Sequence, residues 1–126
     1  MAGMPGTYEP GASYRIRLIL IDEFMVLGGF EAAVRFAGGP QAGAQAGALV
    51  PADSLSAVTD SAGVTYVHHR PGGVLTPEGR VVWELDWTAP TAGGAVVLNA
   101  AANAANGDLS PLGDLIVTGA FESAGP

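Results

Sequence analysis

Two adjacent histidines, His68 and His69, have the widest chemical range of any residues in this 126-residue chain. Imidazoles bind metals, relay protons and activate nucleophiles. Both end "VTYVHH", a β-branched and aromatic run that reads as a strand. Neighbours on a strand point to opposite faces, so the two rings share a metal only across a bulge. A surface or structural pair is the plain reading, and metal handling by His68 and His69 is the competing one. Glu84 and Asp86 share a face of "VVWELDWTAP" and could converge. Acid–base catalysis, however, needs carboxylates in a cleft that shifts their pKa values apart. Nothing in the flanking sequence marks a cleft, so Glu84 and Asp86 read as a solvated sheet face and a candidate interaction face. Asp22-Glu23 and the pair Asp108 and Asp114 offer oxygen ligands to calcium. The spacing of "NGDLSPLGD" does not match the twelve-residue calcium loop, and a turn at Asn106-Gly107 is the default.

Other signatures are missing. "GGPQAGAQAG" lacks the lysine and following helix of a phosphate loop. No serine occupies a nucleophile elbow. Neither Asn103 nor Asn106 is followed by Ser or Thr two residues on, as glycosylation requires. The chain is therefore expected to be no enzyme and to hold no cofactor. Tyr8, Tyr14, Tyr66 or Phe24, if exposed, would suggest sugar stacking. With two Trp, three Tyr and four Phe in all, most aromatics are needed inside.

Composition narrows the class. Five basic residues, all arginine, face twelve acidic ones, for a net charge of −7. That disfavours nucleic acid, which needs a basic stripe to displace counterions, and anionic membranes. No apolar run approaches the roughly 18 residues of a membrane span, so direct insertion is not expected. There is no cysteine, which removes disulfides, thiolate metal sites and cysteine nucleophiles. The opening "MAGMPGTYEPG" has neither the basic nor the apolar region of a signal peptide. The chain is then either cytoplasmic or numbered from after a removed segment.

The elements that would position these residues are strands. The length suits one domain over residues 1–126, with residues 1–13 as a Gly/Pro lead-in. In "YRIRLILI", Tyr14, Ile16, Leu18 and Leu20 alternate with Arg15 and Arg17, the period of a half-buried strand. "FEAAVRF" alternates again, with Phe30, Ala32, Val34 and Phe36 on one side. A short strand is expected near Ala48 to Val50, and another at "VTYVHH". "ADSLSAVTDSAG" reads as polar turns and "RPGGVLTPEG" as a long loop. In "VVWELDWTAP" the acids mark the wet face, so Trp83, Leu85 and Trp87 must meet the core, each indole burying on the order of 200 Å². Pro90 has no N–H for a ladder and stops the strand. Small residues on both faces of "VVLNAAANAA" suggest a central strand covered on both sides, and "DLIVTGAFES" is the last. About seven short strands without a convincing helix predict an all-β, Ig-like antiparallel sandwich, with Trp83, Leu85, Trp87, Pro90, Phe30 and Tyr66 as its core and fold positions.

The order of "YEPGASYRIRL", "GGFEAAV", "TYVHH", "WELDWTAP", "VVLNAAANAANGD" and "GDLIV" resembles bacterial Reeler-like domains, the group called choice-of-anchor V. "WTAP" and "NAANG" are its most specific parts, and the resemblance spans roughly residues 5–120. It implies an exported β-sandwich, periplasmic or on the cell surface, distantly like the reelin N-terminal domain and without assigned catalytic residues. The function expected on that footing is a non-catalytic interaction or structural subunit docking a protein partner in a larger membrane or cell-surface assembly. The Glu84/Asp86 face and the 70–80 loop are its expected contacts. A carbohydrate- or calcium-binding adhesion module is the alternative, and metal handling by His68/His69 the second.

Overall fold

A computed structural model describes residues 1–22, 25, 27–70, 74, 75, 79–105 and 115–126. Among them are nine strands: β1 (Ser13–Ile21), β2 (Leu27–Phe36), β3 (Ala48–Pro51), β4 (Ser56–Ser61), β5 (Val64–His69), β6 (Val74–Leu75), β7 (Arg80–Thr88), β8 (Val96–Ala105) and β9 (Leu115–Ser123). One sheet runs β1-β7-β3. The other runs β4-β5-β2-β8-β9, with the two-residue β6 also pairing with β2. All these strand pairs are antiparallel. No helix long and apolar enough to cross a membrane occurs among the described residues.

The expected sandwich is the observed one, and β7 shows why it forms. Its burial alternates strictly along Arg80–Thr88. Trp83, Leu85 and Trp87 are wholly buried, opposite Leu18, Ile16 and Tyr14 of β1. From the facing sheet Phe30 meets Trp83 with ring centroids 4.6 Å apart. Tyr14 stacks on Trp87, and Tyr8 meets it edge-on, each at 5.7 Å. Trp87 donates its Nε1–H to the Ala46 carbonyl at 2.9 Å, so the "QAGAQAGAL" loop is tied down by the core it borders.

Four features differ from the sequence expectation. Residues 1–13 are built into the sandwich. Ala2 pairs with Arg17 on the outer edge of β1, Gly6 and Tyr8 hydrogen-bond Ala124 just after β9, and Tyr8 is buried. This segment straps the edge of one sheet to the edge of the other. The "turns" of residues 52–63 contain β4, which forms a hairpin with β5 in which Ser61 opposes Val64. The two turn residues, Ala62 and Gly63, both have positive φ, 52° and 79°, the geometry that matches the twist of a two-residue hairpin. Strand β8 is central in its sheet, but only one of its faces is covered: Asn99 and Ala101 are exposed. Finally, Tyr66 is not in the core. Val67 opposes Ala32 and is buried, so alternation sends Tyr66 to the outer face, where it is half-buried.

Candidate functional site

The two outer sheet faces differ in how their charges are used. On the three-stranded sheet, β1 and β7 register Arg15 opposite Asp86 and Arg17 opposite Glu84. The Arg15 guanidinium reaches Asp86 at 2.5 Å and Glu84 at 2.7 Å, and Arg17 lies 3.7 Å from Glu84. These hydrogen bonds, to Asp86 first and Glu84 next, raise the Arg15 pKa above its ordinary value. Glu84 and Asp86 do meet water, but as half of a balanced ladder of two acids and two arginines rather than as a free acidic surface.

On the five-stranded sheet the outward positions come from different strands: Tyr66 and His68 of β5, Glu31, Ala33 and Arg35 of β2, Asn99 and Ala101 of β8, Thr118 and Ala120 of β9. Register aligns Glu31 with Ala101, Ala33 with Asn99, and Ala101 with Thr118. Alanine and glycine form the floor and longer side chains the rim, which leaves an open trough of about 490 Å³. Arg35 donates to the Tyr66 hydroxyl, its guanidinium carbon 5.3 Å from that ring's centroid, so the aromatic rim is held in place. Glu31 lines both the trough and the adjoining hollow beside Thr59 and His68. No hydrogen bond or ion pair engages its carboxylate among the described residues.

His68 and His69 line one hollow of the outer face with Glu31 and Ala101, but each ring has its own hydrogen-bond partners. His68 lies outward, opposite Glu31 and Ala57. Its Nδ1 is 2.9 Å from the His69 carbonyl and its Nε2 is 2.8 Å from Thr59 Oγ1. A carbonyl only accepts, so Nδ1 carries a proton and the neutral ring accepts the Thr59 hydroxyl at Nε2. A hydroxyl on an imidazole is the first half of a nucleophile–base pair. Here the pair stands in water on an open sheet face, and both ring nitrogens are already engaged. His69 is held differently: Phe30 N–H donates to its Nδ1 at 2.9 Å. The ring lies over Gly29, where an added Cβ would sit 2.7 Å from His69 Cε1. The side chain thus takes a place that a strand backbone would otherwise fill, and the β2–β5 ladder stops at Glu31–His68.

No group of three or more His, Asp or Glu able to hold a metal occurs among the described residues. Asp108 and Asp114, and most of the 70–80 loop, lie outside them. Sequence reasoning named Tyr66 and His68 but not Glu31, Arg35 or Asn99 as partners on one face. The alternation of "FEAAVRF" marks Glu31 and Arg35 as outward, whereas their meeting with Asn99 depends on the β2–β8 register.

No protein-family model matches the sequence, and no curated protein matches it. Solved structures do match. The human F-spondin reeler domain is 20% identical at a TM-score of 0.64, over 97% of this chain and 83% of that one. The Reelin-N domain of F-spondin is 19% identical at 0.54, over 94% and 80%. AvmM, which catalyses macrocyclization in alchivemycin A biosynthesis, is 13% identical at 0.56, over 97% and 84%. The fold is therefore reeler-like.

Proposed function

We propose that this chain, a reeler-like β-sandwich, is a non-catalytic interaction module working outside the cytoplasm. It docks a protein partner of a larger membrane or cell-surface assembly through the outer face of the five-stranded sheet. The observation that carries this reading is the Glu31 carboxylate, unpaired at the rim of a small-residue trough, while Glu84 and Asp86 are neutralised by Arg15 and Arg17. A trough floored by Ala101 and Ala120 admits an extended segment close to the sheet. Glu31 selects a cationic side chain there, and the net charge of −7 steers such a partner in. The balanced ladder on the other sheet offers no such selection.

The test is capture from the native envelope fraction with immobilised wild-type chain, an Ala101→Arg variant that fills the trough, and an Arg15→Ala variant that alters the opposite face. The proposal expects the same partner on wild type and Arg15→Ala, and its loss from Ala101→Arg. Equal capture by all three counts against it.

A second reading has its own observation. Tyr66 is half-buried with its ring fixed by Arg35, beside Asn99 and Glu31, a combination of stacking surface and polar groups that suits a sugar ring. Binding on a glycan array that disappears in Tyr66→Ala would favour this reading over a protein partner.

A further inference from the structure

Where β1 and β9 run along the same side of the sandwich, the edges of the two sheets do not meet. The N-terminal strap covers part of this seam, and Met1 lines the portion left open, an apolar cleft of about 140 Å³. Its walls include Leu18, Leu20, Phe30, Trp83, Val117 and Phe121. Ile19 and Val117 also line it and are 39% and 43% exposed. No charged side chain lines it, and the side chains there with an N–H or O–H group are Thr118 and Trp83.

The two indoles differ sharply. Trp87 Nε1–H has the Ala46 carbonyl. Trp83 is equally buried, yet its Nε1–H has no partner. A buried donor without an acceptor is costly and calls for an explanation. In Trp83 the orphan belongs to a ring that forms part of the cleft wall.

We infer that the cleft between β1 and β9 binds a small neutral molecule with an apolar body of about one six-membered ring and one carbonyl or ether oxygen, which accepts the Trp83 indole hydrogen. The volume sets the size, since a cavity of about 150 Å³ lined by aliphatic and aromatic groups takes up benzene. With no charged side chain in the lining, an ion gains no side-chain counter-charge for the hydration it would lose. The indole supplies orientation: an oxygen-bearing ligand satisfies the donor, and a hydrocarbon of the same shape does not. The cleft and the outer-face trough share Ala100, Ala101, Thr118 and Gly119 in their linings, but the inference does not rest on the docking reading.

The indole signals of the ¹⁵N-labelled full chain test it, because the chain has two tryptophans and Trp87 serves as internal control. Titration with cyclohexanone is expected to move the Trp83 indole signal downfield saturably and to leave that of Trp87 in place. Toluene is expected to bind without the downfield shift. Trp83→Phe should weaken cyclohexanone about fivefold, the worth of one neutral hydrogen bond, and toluene by less than about twofold. Ala102→Leu, which fills the cleft, should abolish binding of both. The inference is overturned if saturating cyclohexanone leaves the Trp83 signal unmoved or shifts both indoles alike, or if Ala102→Leu binds as wild type does. The wild-type titration decides the matter alone should a variant fail to fold.

Discussion

Phe30 and Trp83 belong to opposite sheets and meet across the sandwich with ring centroids 4.6 Å apart. The contact holds the sheets at the spacing that the rest of the core fills. Phe30→Ala would leave a cavity under an indole that cannot follow the collapse of its neighbour, because β7 is paired on both edges. A loss of about 3–5 kcal/mol in urea unfolding is expected. Native tryptophan emission of the wild type should resist quenching by iodide, since both indoles are fully buried.

Gly29 and His69 form a tighter fit than either residue type suggests. An added methyl at Gly29 meets the imidazole ring at 2.7 Å, and the ring is held by the Phe30 N–H. Gly29→Ala is expected to cost about 1–3 kcal/mol, as overpacking does. The same change in a His69→Ala background should cost less, because the obstacle is gone. A double-mutant cycle by thermal unfolding measures the difference.

Ala62 occupies a left-handed conformation with φ at 52° in the β4–β5 turn. A side chain there costs roughly 1–2 kcal/mol that glycine avoids. Ala62→Gly is expected to raise stability by about 0.5–1 kcal/mol, the gain being trimmed by glycine's greater freedom in the unfolded chain. Matched urea midpoints for the two chains check it.

Arg15 holds Asp86 and Glu84 in water, with half of its side chain exposed. Solvent screens such pairs, so Arg15→Ala should lower stability far less than Phe30→Ala, and the loss from Arg15→Ala should vanish near 1 M salt. The raised pKa of Arg15 means its contribution is fully present below the ordinary arginine value and fades only above the raised one. Arg15 titration therefore adds no slope to stability between pH 5 and 9, which denaturation across that range would show.

The sandwich was legible because its main strands alternate with bulky residues. Trp83, Leu85 and Trp87 against Glu84 and Asp86 leave one choice of inward face. Strand β4 was not legible. Ser56–Ser61 is polar, and its turn is Ala-Gly rather than the Asn-Gly that usually signals a hairpin. Tyr66 was misplaced because "VTYVHH" is apolar on both parities until the Val67–Ala32 pairing sets the inward one. The N-terminal strap was hidden by its glycines and prolines, which read as a loose lead-in although Tyr8 anchors it in the core. The trough was invisible for a different reason. Ala33, Ala101 and Ala120 look like filler in any single strand, and they become a floor only when β2, β8 and β9 are laid side by side in register. Tyr66, Glu31 and Asn99 likewise come from three strands whose adjacency is non-local.

Carbodiimide labelling of carboxylates, with and without the captured partner, tests the assignment of the binding face most directly. The account predicts that Glu31 becomes protected in the complex while Glu84 and Asp86 label as they do in the free chain. Protection of Glu84 and Asp86 with Glu31 unchanged would contradict it.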